Sequence, residues 1–271
     1  MTEIARVAMW SGPRTLSTAL MRAFENRPDT VVVDEPLYGF YLDRTGISHP
    51  GRDEILRSMP LRWPEVIEHL ASGQLPAGKT VFYAKHMSHH LLPEVDRSAL
   101  AGLRHAFLIR DPRRLLASYA KVRDTPTLAD LGLAQQAEIY RLFGGPVIDA
   151  ADLAARPGPT LAALCDALDI PFDSSMLSWP TGPRQTDGIW AKHWYARVWQ
   201  STGFTQSKLP GGDTAGDRTT GSGSAVGYHG TAAGLAGPGE AGEVVLSPDL
   251  EPLAAQCQPY YAELAAHRLA P

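Results

Sequence analysis

The sequence has few cysteines, no long apolar run and no excess of basic residues. Cys165 and Cys257 are its two cysteines among 271 residues, and their wide separation excludes a disulfide framework or a cysteine-rich zinc module. No stretch reaches the roughly 18 apolar residues that a membrane span needs. The chain has 25 Lys and Arg against 29 Asp and Glu, and its formal net charge of −4 argues against a broad nucleic-acid-binding face.

The N-terminus also lacks the features of a secretory signal. It has no basic start, and the apolar run at residues 4–10 has the length of a strand rather than of a signal peptide. The expected location is therefore the cytoplasm, with no membrane partner.

Glycine is concentrated near the C-terminus. Residues 210–243 hold 11 glycines in 34 positions, a composition that buries too little apolar surface to offset the entropy of ordering. We expect a single domain over residues 1–271, in which 210–243 is a flexible insertion and 247–269 is a C-terminal helix. Hydrophobic residues make up 44% of the chain, enough for a sizeable core.

Strand and helix signals alternate along the remaining chain. Short apolar or β-branched runs occupy residues 4–10, 30–33, 80–84 and 105–109. Helical periodicity lies between them, and Asp111 followed by Pro112 is typical of a helix start. This alternation predicts an α/β fold, a mostly parallel sheet flanked by helices in three layers. Ligands of such sheets bind beyond the carboxyl ends of the strands.

The segment after the first strand, SGPRTLST, is typical of an anion site. A helix start offers free backbone N–H groups and the positive end of the helix dipole. Arg14 provides a guanidinium that matches phosphate or sulfate oxygens, and Thr15, Ser17 and Thr18 provide hydroxyl donors. The segment has no Gly-Lys pair and is therefore not a Walker A loop.

Carboxylates and bases follow the second and third strands. Of the adjacent Asp34 and Glu35, we favour Glu35 as the group facing a ligand, because neighbouring strand residues point to opposite faces. Lys85 and His86 end the third strand and are expected to face the same ligand. The histidines of residues 86–90 have no nearby cysteine or carboxylate to complete a zinc site, so no metal is predicted.

Two motifs together resemble the PAPS-dependent sulfotransferase family, where PAPS is 3′-phosphoadenosine 5′-phosphosulfate. They are SGPRTLST after the first strand and RDPRRLLASY after a later strand, and the resemblance extends over about residues 4–206. More narrowly, the chain resembles a bacterial sulfotransferase-like branch, with which it shares stretches such as DEPLY and KHMSHHLLP. The resemblance implies a P-loop-like sulfotransferase fold.

The resemblance also implies roles for particular residues. The 5′-phosphosulfate group would be bound by Arg14, Thr15, Ser17 and Thr18, and the 3′-phosphate by Arg110 and Ser118, which are eight residues apart. Residues 184–194 are similar to a loop that covers the cofactor, which makes Arg184 and Trp190 further cofactor-binding candidates. The acceptor pocket is expected between residues 37–41 and 85–90.

The function implied is transfer of a sulfuryl group from PAPS to a hydroxyl or amine of a small-molecule acceptor, with PAP as product and no metal. Family branches differ in their base, and here the candidates are Glu35 first and His86 second. Lys85 would neutralise charge that develops on the leaving group. Three alternatives stay open: a P-loop-like nucleotide-dependent kinase, a non-catalytic nucleotide-binding protein and an interaction module.

Overall fold

A computed structural model describes residues 3–121, 125–204 and 244–270. Its centre is a five-stranded sheet, all parallel, with the strand order β2-β3-β1-β4-β5. The strands are β1 (Ala5–Ser11), β2 (Thr30–Asp34), β3 (Val81–Met87), β4 (Arg104–Ile109) and β5 (Val147–Asp149). The predicted parallel α/β sheet is confirmed, and β1 lies in its middle.

Twelve α-helices lie in the described part of the chain. They are α1 (Ser17–Glu25), α2 (Tyr38–Thr45), α3 (Arg52–Ser58), α4 (Trp63–Ser72), α5 (Pro112–Tyr119), α6 (Leu128–Leu131), α7 (Leu133–Phe143), α8 (Ala150–Ala155), α9 (Pro157–Ala167), α10 (Ala191–Trp194), α11 (Ala196–Trp199) and α12 (Glu251–Ala265). Short 3₁₀ turns occupy Ser88–His90, Arg97–Leu100 and Ser174–Leu177. None of these described helices is both long and apolar enough to cross a membrane.

Both faces of the sheet are covered, which makes the fold three-layered. Along β1, Val7 and Met9 pack in a core with α1 and α9, whereas Ala8 and Trp10 pack in a second core with α4, α7 and α12. This division follows from the strand geometry, because successive side chains point to opposite faces. A parallel sheet buried on both faces needs such nearly continuous apolar strands.

The start of α5 and the C-terminal helix show how the sequence determines local structure. The Asp111 carboxylate accepts a hydrogen bond of 3.0 Å from the backbone N–H of Arg114, so the predicted helix start is confirmed. The helix predicted over 247–269 is observed as the shorter α12. Arg113 donates to both carboxylate oxygens of Glu251 at 2.6 and 2.7 Å and thereby connects α12 to α5. The glycine-rich stretch 210–243 lies outside the described residues.

Candidate functional site

A cavity of about 150 Å³ opens at the carboxyl ends of β1, β2 and β3. The segments that line it follow these strands, with contributions from α1, α2, the turn after β3, and α10. The lining residues are Pro13, Arg14, Ser17, Thr18, Glu35, Tyr38, Tyr41, Ile47, His49, Lys85, Met87, His89, His90, Tyr119, Asp130, Trp190, Trp194 and Tyr195. The cavity therefore lies at the predicted position beyond the strand ends, and the segments around 37–41 and 85–90 both reach it.

The loop between β1 and α1 has an unusual backbone. Arg14 and Leu16 have φ values of 63° and 70°, in the left-handed region that side chains other than glycine seldom adopt. Helix α1 then starts without a side-chain cap and without an acidic residue in its first turn. Its first N–H groups and the positive end of its dipole are thus available to an anion beside Ser17 and Thr18.

Thr15 has a different position from the other predicted residues of this loop. Its hydroxyl donates to the carbonyl oxygen of Gly12 at 2.8 Å, and the residue is buried and does not line the cavity. A Cβ atom on Gly12 would lie 2.7 Å from the carbonyl oxygen of Leu131, so the loop packs closely on α6 at this point. In the structure the Thr15 hydroxyl stabilises the loop, and it does not point into the cavity where the phosphosulfate was predicted to bind.

Arginines from three elements converge beside this loop. Arg14 donates through Nε to the Ser118 hydroxyl at 2.9 Å, and Arg110 donates to the Arg14 carbonyl oxygen at 2.6 Å. Burial, together with the positive charges of Arg110 and Arg197, lowers the pKa of Arg14 to about 10. The structure therefore brings the two predicted phosphate motifs together. Cationic repulsion of this kind is relieved when an anion binds among the guanidinium groups.

Arg197 is part of this arrangement, although no sequence pattern pointed to it. It belongs to the short helix α11, and no phosphate motif surrounds it. Its proximity to Arg14 depends on how the segment after residue 184 folds back over the strand ends. Only that tertiary arrangement identifies it.

A lysine and two carboxylates form a buried network next to the cavity. Lys85 donates through Nζ to Asp34 at 2.8 Å, to Glu35 at 2.6 Å and to the hydroxyl of Tyr195 at 3.0 Å. The Tyr195 hydroxyl in turn donates to the second oxygen of Asp34 at 2.6 Å. The side chains of Lys85 and Asp34 are each 1% exposed, whereas that of Glu35 is 11% exposed and lines the cavity.

Glu35 lines the cavity and Asp34 does not, but the expectation that these adjacent acids point to opposite faces is wrong. Asp34 lies in register with Lys85 in the sheet and points to the same face. Glu35 follows the end of β2 with a φ of 45°, and this left-handed conformation turns its carboxylate to the same ammonium. A backbone outlier held in this way is a common feature of functional sites. Burial raises the pKa of Glu35, the nearby Lys85 lowers it, and the charge of Asp34 raises it.

His86 lies on the opposite face of the sheet from this network. It is 1% exposed, stacks on Trp10 with ring centroids 4.2 Å apart, and does not line the cavity. Burial lowers its pKa to about 3, so the imidazole is neutral. The prediction that His86 faces the ligand is therefore wrong, because successive residues of β3 alternate between faces and Lys85 takes the cavity side.

The buried imidazoles predict a loss of stability in acid. The pKa of His86 is about 3 and that of His105 about 4, both below the ordinary 6.5 because of burial, so the unfolded chain binds more protons below about pH 6.5. The free energy of unfolding should fall as pH falls from 7 to 5. Each imidazole contributes at most about 1.4 kcal/mol per pH unit. His86→Phe keeps a stacked ring that cannot titrate and should show a shallower fall in denaturant titrations. Equal slopes in the two proteins would contradict this account.

Residues 184–199 close over the cavity and are held by α1. Asp187 forms an ion pair with the buried Arg22 and also accepts hydrogen bonds of 2.9 Å from the Arg184 backbone and the Trp199 indole. Trp190 lines the cavity edge-on to Tyr38, with ring centroids 5.0 Å apart. The Arg184 side chain does not line the cavity and contacts the Pro180 carbonyl oxygen at 3.3 Å. Of the two predicted residues in this segment, the structure therefore brings only Trp190 to the site.

Aromatic rings form the wall of the cavity next to Glu35. His90 stacks on Tyr38 and Tyr41, with centroids 4.7 and 4.6 Å apart, and His49 lies beside Tyr38 and Trp194. Burial lowers the pKa of His90 well below 6.5, so this ring carries no charge at neutral pH. Within the described ranges, no group of three or more His, Cys, Asp or Glu is arranged to hold a metal ion. The wall is thus a set of flat, mostly uncharged surfaces.

Comparison with known proteins gives a family assignment. The family model described as "Sulfotransferase domain" matches residues 5–230. Branched-chain-amino-acid aminotransferase-like proteins 1 and 2 of Arabidopsis thaliana are 42% and 39% identical to this chain over 213 and 201 residues. These matches cover 77% and 72% of this chain but 38% and 35% of the relatives, so the chain spans less than two fifths of their length.

Solved structures of low sequence identity also match. The sulfotransferase domain from the Curacin biosynthetic pathway has 13% identity and a TM-score of 0.44, covering 70% of this chain and 82% of its own. The sulfotransferase domain of the Synechococcus PCC 7002 olefin synthase has 17% identity and a TM-score of 0.46, with coverages of 78% and 90%. Mouse sulfotransferase SULT7A1, complexed with PAP, has 15% identity and a TM-score of 0.37, with coverages of 64% and 62%.

Proposed function

Because this chain belongs to the sulfotransferase domain family, we propose that it transfers a sulfuryl group from PAPS to a hydroxyl or amine of a small acceptor. The observation that carries the proposal is that Arg14, beside an uncapped helix start, and the Glu35 carboxylate line one cavity. Ser17, Thr18 and Lys85 line the same cavity.

The residues present fit a donor with phosphates at both ends of its ribose. The start of α1 and Arg14 would hold the 5′-phosphosulfate, and Arg110 with Ser118 would hold the 3′-phosphate. Their fit is supported by the uncapped helix start and by the convergence of Arg14 and Arg110, since burial first and the neighbouring positive charges second lower the pKa of Arg14. When bound, PAPS supplies the sulfuryl group and its leaving group is PAP.

Glu35 is the proposed general base. Its carboxylate lines the cavity, and burial raises its pKa, which strengthens it as a proton acceptor toward a hydroxyl or amine. The Lys85 ammonium, 2.6 Å from this carboxylate, would balance negative charge near the reacting group. Charge stabilisation and alignment account for most of the rate in transfers of this type. Trp190 is proposed to cover the bound donor from the closing segment.

Two other functions make different predictions about nucleotides. A P-loop-like kinase would bind ATP with Mg²⁺ in preference to PAP, although the loop after β1 has no Gly-Lys pair. A non-catalytic nucleotide-binding protein would bind PAP and turn over no acceptor.

Calorimetric titration of the purified chain with PAP, AMP and ATP–Mg²⁺ tests the proposal. We expect PAP to bind more tightly than AMP, because AMP lacks the 3′-phosphate that Arg110 and Ser118 would contact. Hydrogen bonds to charged groups contribute about 1.5–3 kcal/mol, which corresponds to roughly 10- to 150-fold in affinity. Equal binding of PAP and AMP, or a preference for ATP–Mg²⁺, would overturn the assignment of the donor.

A further inference from the structure

Every N–H donor of the Lys85 ammonium is engaged in the structure. An ammonium group has three donors, and here they go to Asp34, Glu35 and Tyr195 at 2.8, 2.6 and 3.0 Å. Lys85 is 1% exposed, so water does not compete for these bonds. The position of its Nζ atom against Glu35 is therefore determined by the two other partners.

Asp34 and Tyr195 are connected to each other as well as to Lys85. The Tyr195 hydroxyl donates to Asp34 at 2.6 Å, and the backbone N–H of Gly188 donates to the same carboxylate oxygen at 3.4 Å. Both donors belong to the segment 184–199, which lies more than 150 residues away in sequence from β2. Closure of this segment over the cavity thus completes the surroundings of Lys85.

We propose that Asp34 and Tyr195 are positioning residues, which hold Lys85 against Glu35 and so make the acid–base centre depend on closure of the segment 184–199. This inference rests on the proposed function, in which Glu35 is the base. Neither residue needs to contact the acceptor, and Asp34 does not line the cavity. Their effect on turnover acts through Lys85.

The count of charges explains why a second carboxylate is needed. When Glu35 is ionised, the cluster holds two carboxylates and one ammonium. When Glu35 accepts the proton of the acceptor hydroxyl or amine, it becomes neutral, and Lys85 and Asp34 remain as a balanced ion pair. If Asp34 were uncharged, Glu35 would be the sole counterion of Lys85, and the resulting pair would hold Glu35 in its ionised form as a weaker base.

Several titratable groups surround Glu35 and contribute to its response to pH. Asp34, Lys85, Tyr38 and Tyr195 interact with it directly through charge or hydrogen bonds. Further groups line the same cavity from the neighbouring elements, namely Arg14, Tyr41, His49, His89, His90, Tyr119 and Asp130. Asp34 is the carboxylate that shares the Lys85 ammonium with Glu35, so removing the charge of Asp34 tests their coupling most directly.

The test compares Tyr195→Phe with Tyr83→Phe, in the full chain, with PAPS as donor. Tyr83, which lies on β3, is a matched control because it is also a buried tyrosine. Its hydroxyl has no hydrogen-bond partner among the described residues. Tyr195→Phe removes one bond to Lys85 and one to Asp34, and we expect kcat to fall about 10- to 100-fold. Tyr83→Phe should leave kcat within about twofold. The affinity for PAP, measured by calorimetry, should change little in either variant.

Asp34→Asn provides a second readout, the pH dependence of kcat, which would not change if Asp34 had a purely structural role. Removing this negative charge lowers the pKa of Glu35, so the acidic limb of the kcat profile should move to lower pH. Tyr195→Phe keeps the Asp34 charge and should move that limb less. If Asp34→Asn does not fold, the comparison of the two tyrosine variants still decides the proposal.

The outcomes separate this inference from the proposed function. If wild-type protein does not bind PAP, the proposed function fails first. If PAP binds but Tyr195→Phe and Tyr83→Phe turn over acceptor equally, the positioning role is overturned and the donor assignment stands. A parallel loss of PAP affinity and turnover in Tyr195→Phe would also overturn it, since that result indicates a general effect on the closed segment.

Discussion

Substituting Glu35 with Gln is expected to reduce turnover of acceptor by about 10²- to 10⁴-fold, the range typical for loss of a general base. The amide has nearly the same shape but cannot accept the acceptor proton. It retains an oxygen that accepts a hydrogen bond from Lys85, so the network around the ammonium should persist. Because the Glu35 carboxylate bonds to Lys85 and is not one of the proposed phosphate-binding groups, the calorimetric affinity for PAP should stay within a few fold of wild type.

A matched control is Glu65→Gln, since Glu65 is an exposed residue in the first turn of α4 and does not line the cavity. Its turnover should equal that of wild type. Turnover near the wild-type value in Glu35→Gln would show that Glu35 is not the base. Attention would then move to other groups lining the cavity, because His86 lies on the opposite face of the sheet.

Substituting Arg110 with Ala should weaken binding of PAP by roughly 10- to 150-fold, from the loss of hydrogen bonds to a charged phosphate. Arg110 is 7% exposed and contacts the backbone of Arg14, so it lies beside the loop that follows β1. The same substitution should change the affinity for AMP much less, since AMP has no 3′-phosphate. Titration of both nucleotides against both proteins gives this difference directly.

The control for this substitution is Arg57→Ala, at an exposed arginine of α3 outside the cavity. If PAP binding depended only on the total positive charge, both variants would bind PAP more weakly than wild type. Raising the salt concentration would then abolish the difference between each variant and wild type. An equal loss of PAP and AMP affinity in Arg110→Ala would contradict a 3′-phosphate role. Arg110 would then act by supporting the Arg14 backbone.

Much of the fold could be predicted from the order of local patterns. Runs of β-branched and apolar residues alternate with helical periodicity, and such chains form parallel sheets with both faces covered. Asp111 and Pro112 determine the start of α5 through the side-chain cap and the fixed φ of proline, both of which are local effects. Because ligands of these sheets bind at the carboxyl ends of the strands, the general position of the site followed as well.

The sequence by itself determined the alternation of strands and helices and the motifs that identify Arg14, Arg110, Ser118 and Glu35. Those features depend on short-range chemistry and spacing. Only the tertiary structure decided that Asp34 and Glu35 face one ammonium, because this requires the register of β2 with β3 and a left-handed φ at Glu35. It also decided that Lys85 and not His86 faces the cavity. The contribution of Tyr195 depends on a segment that folds back across the sheet. The hydrogen bond from Tyr195 to Asp34 joins residues 161 positions apart, and no local sequence pattern predicts it.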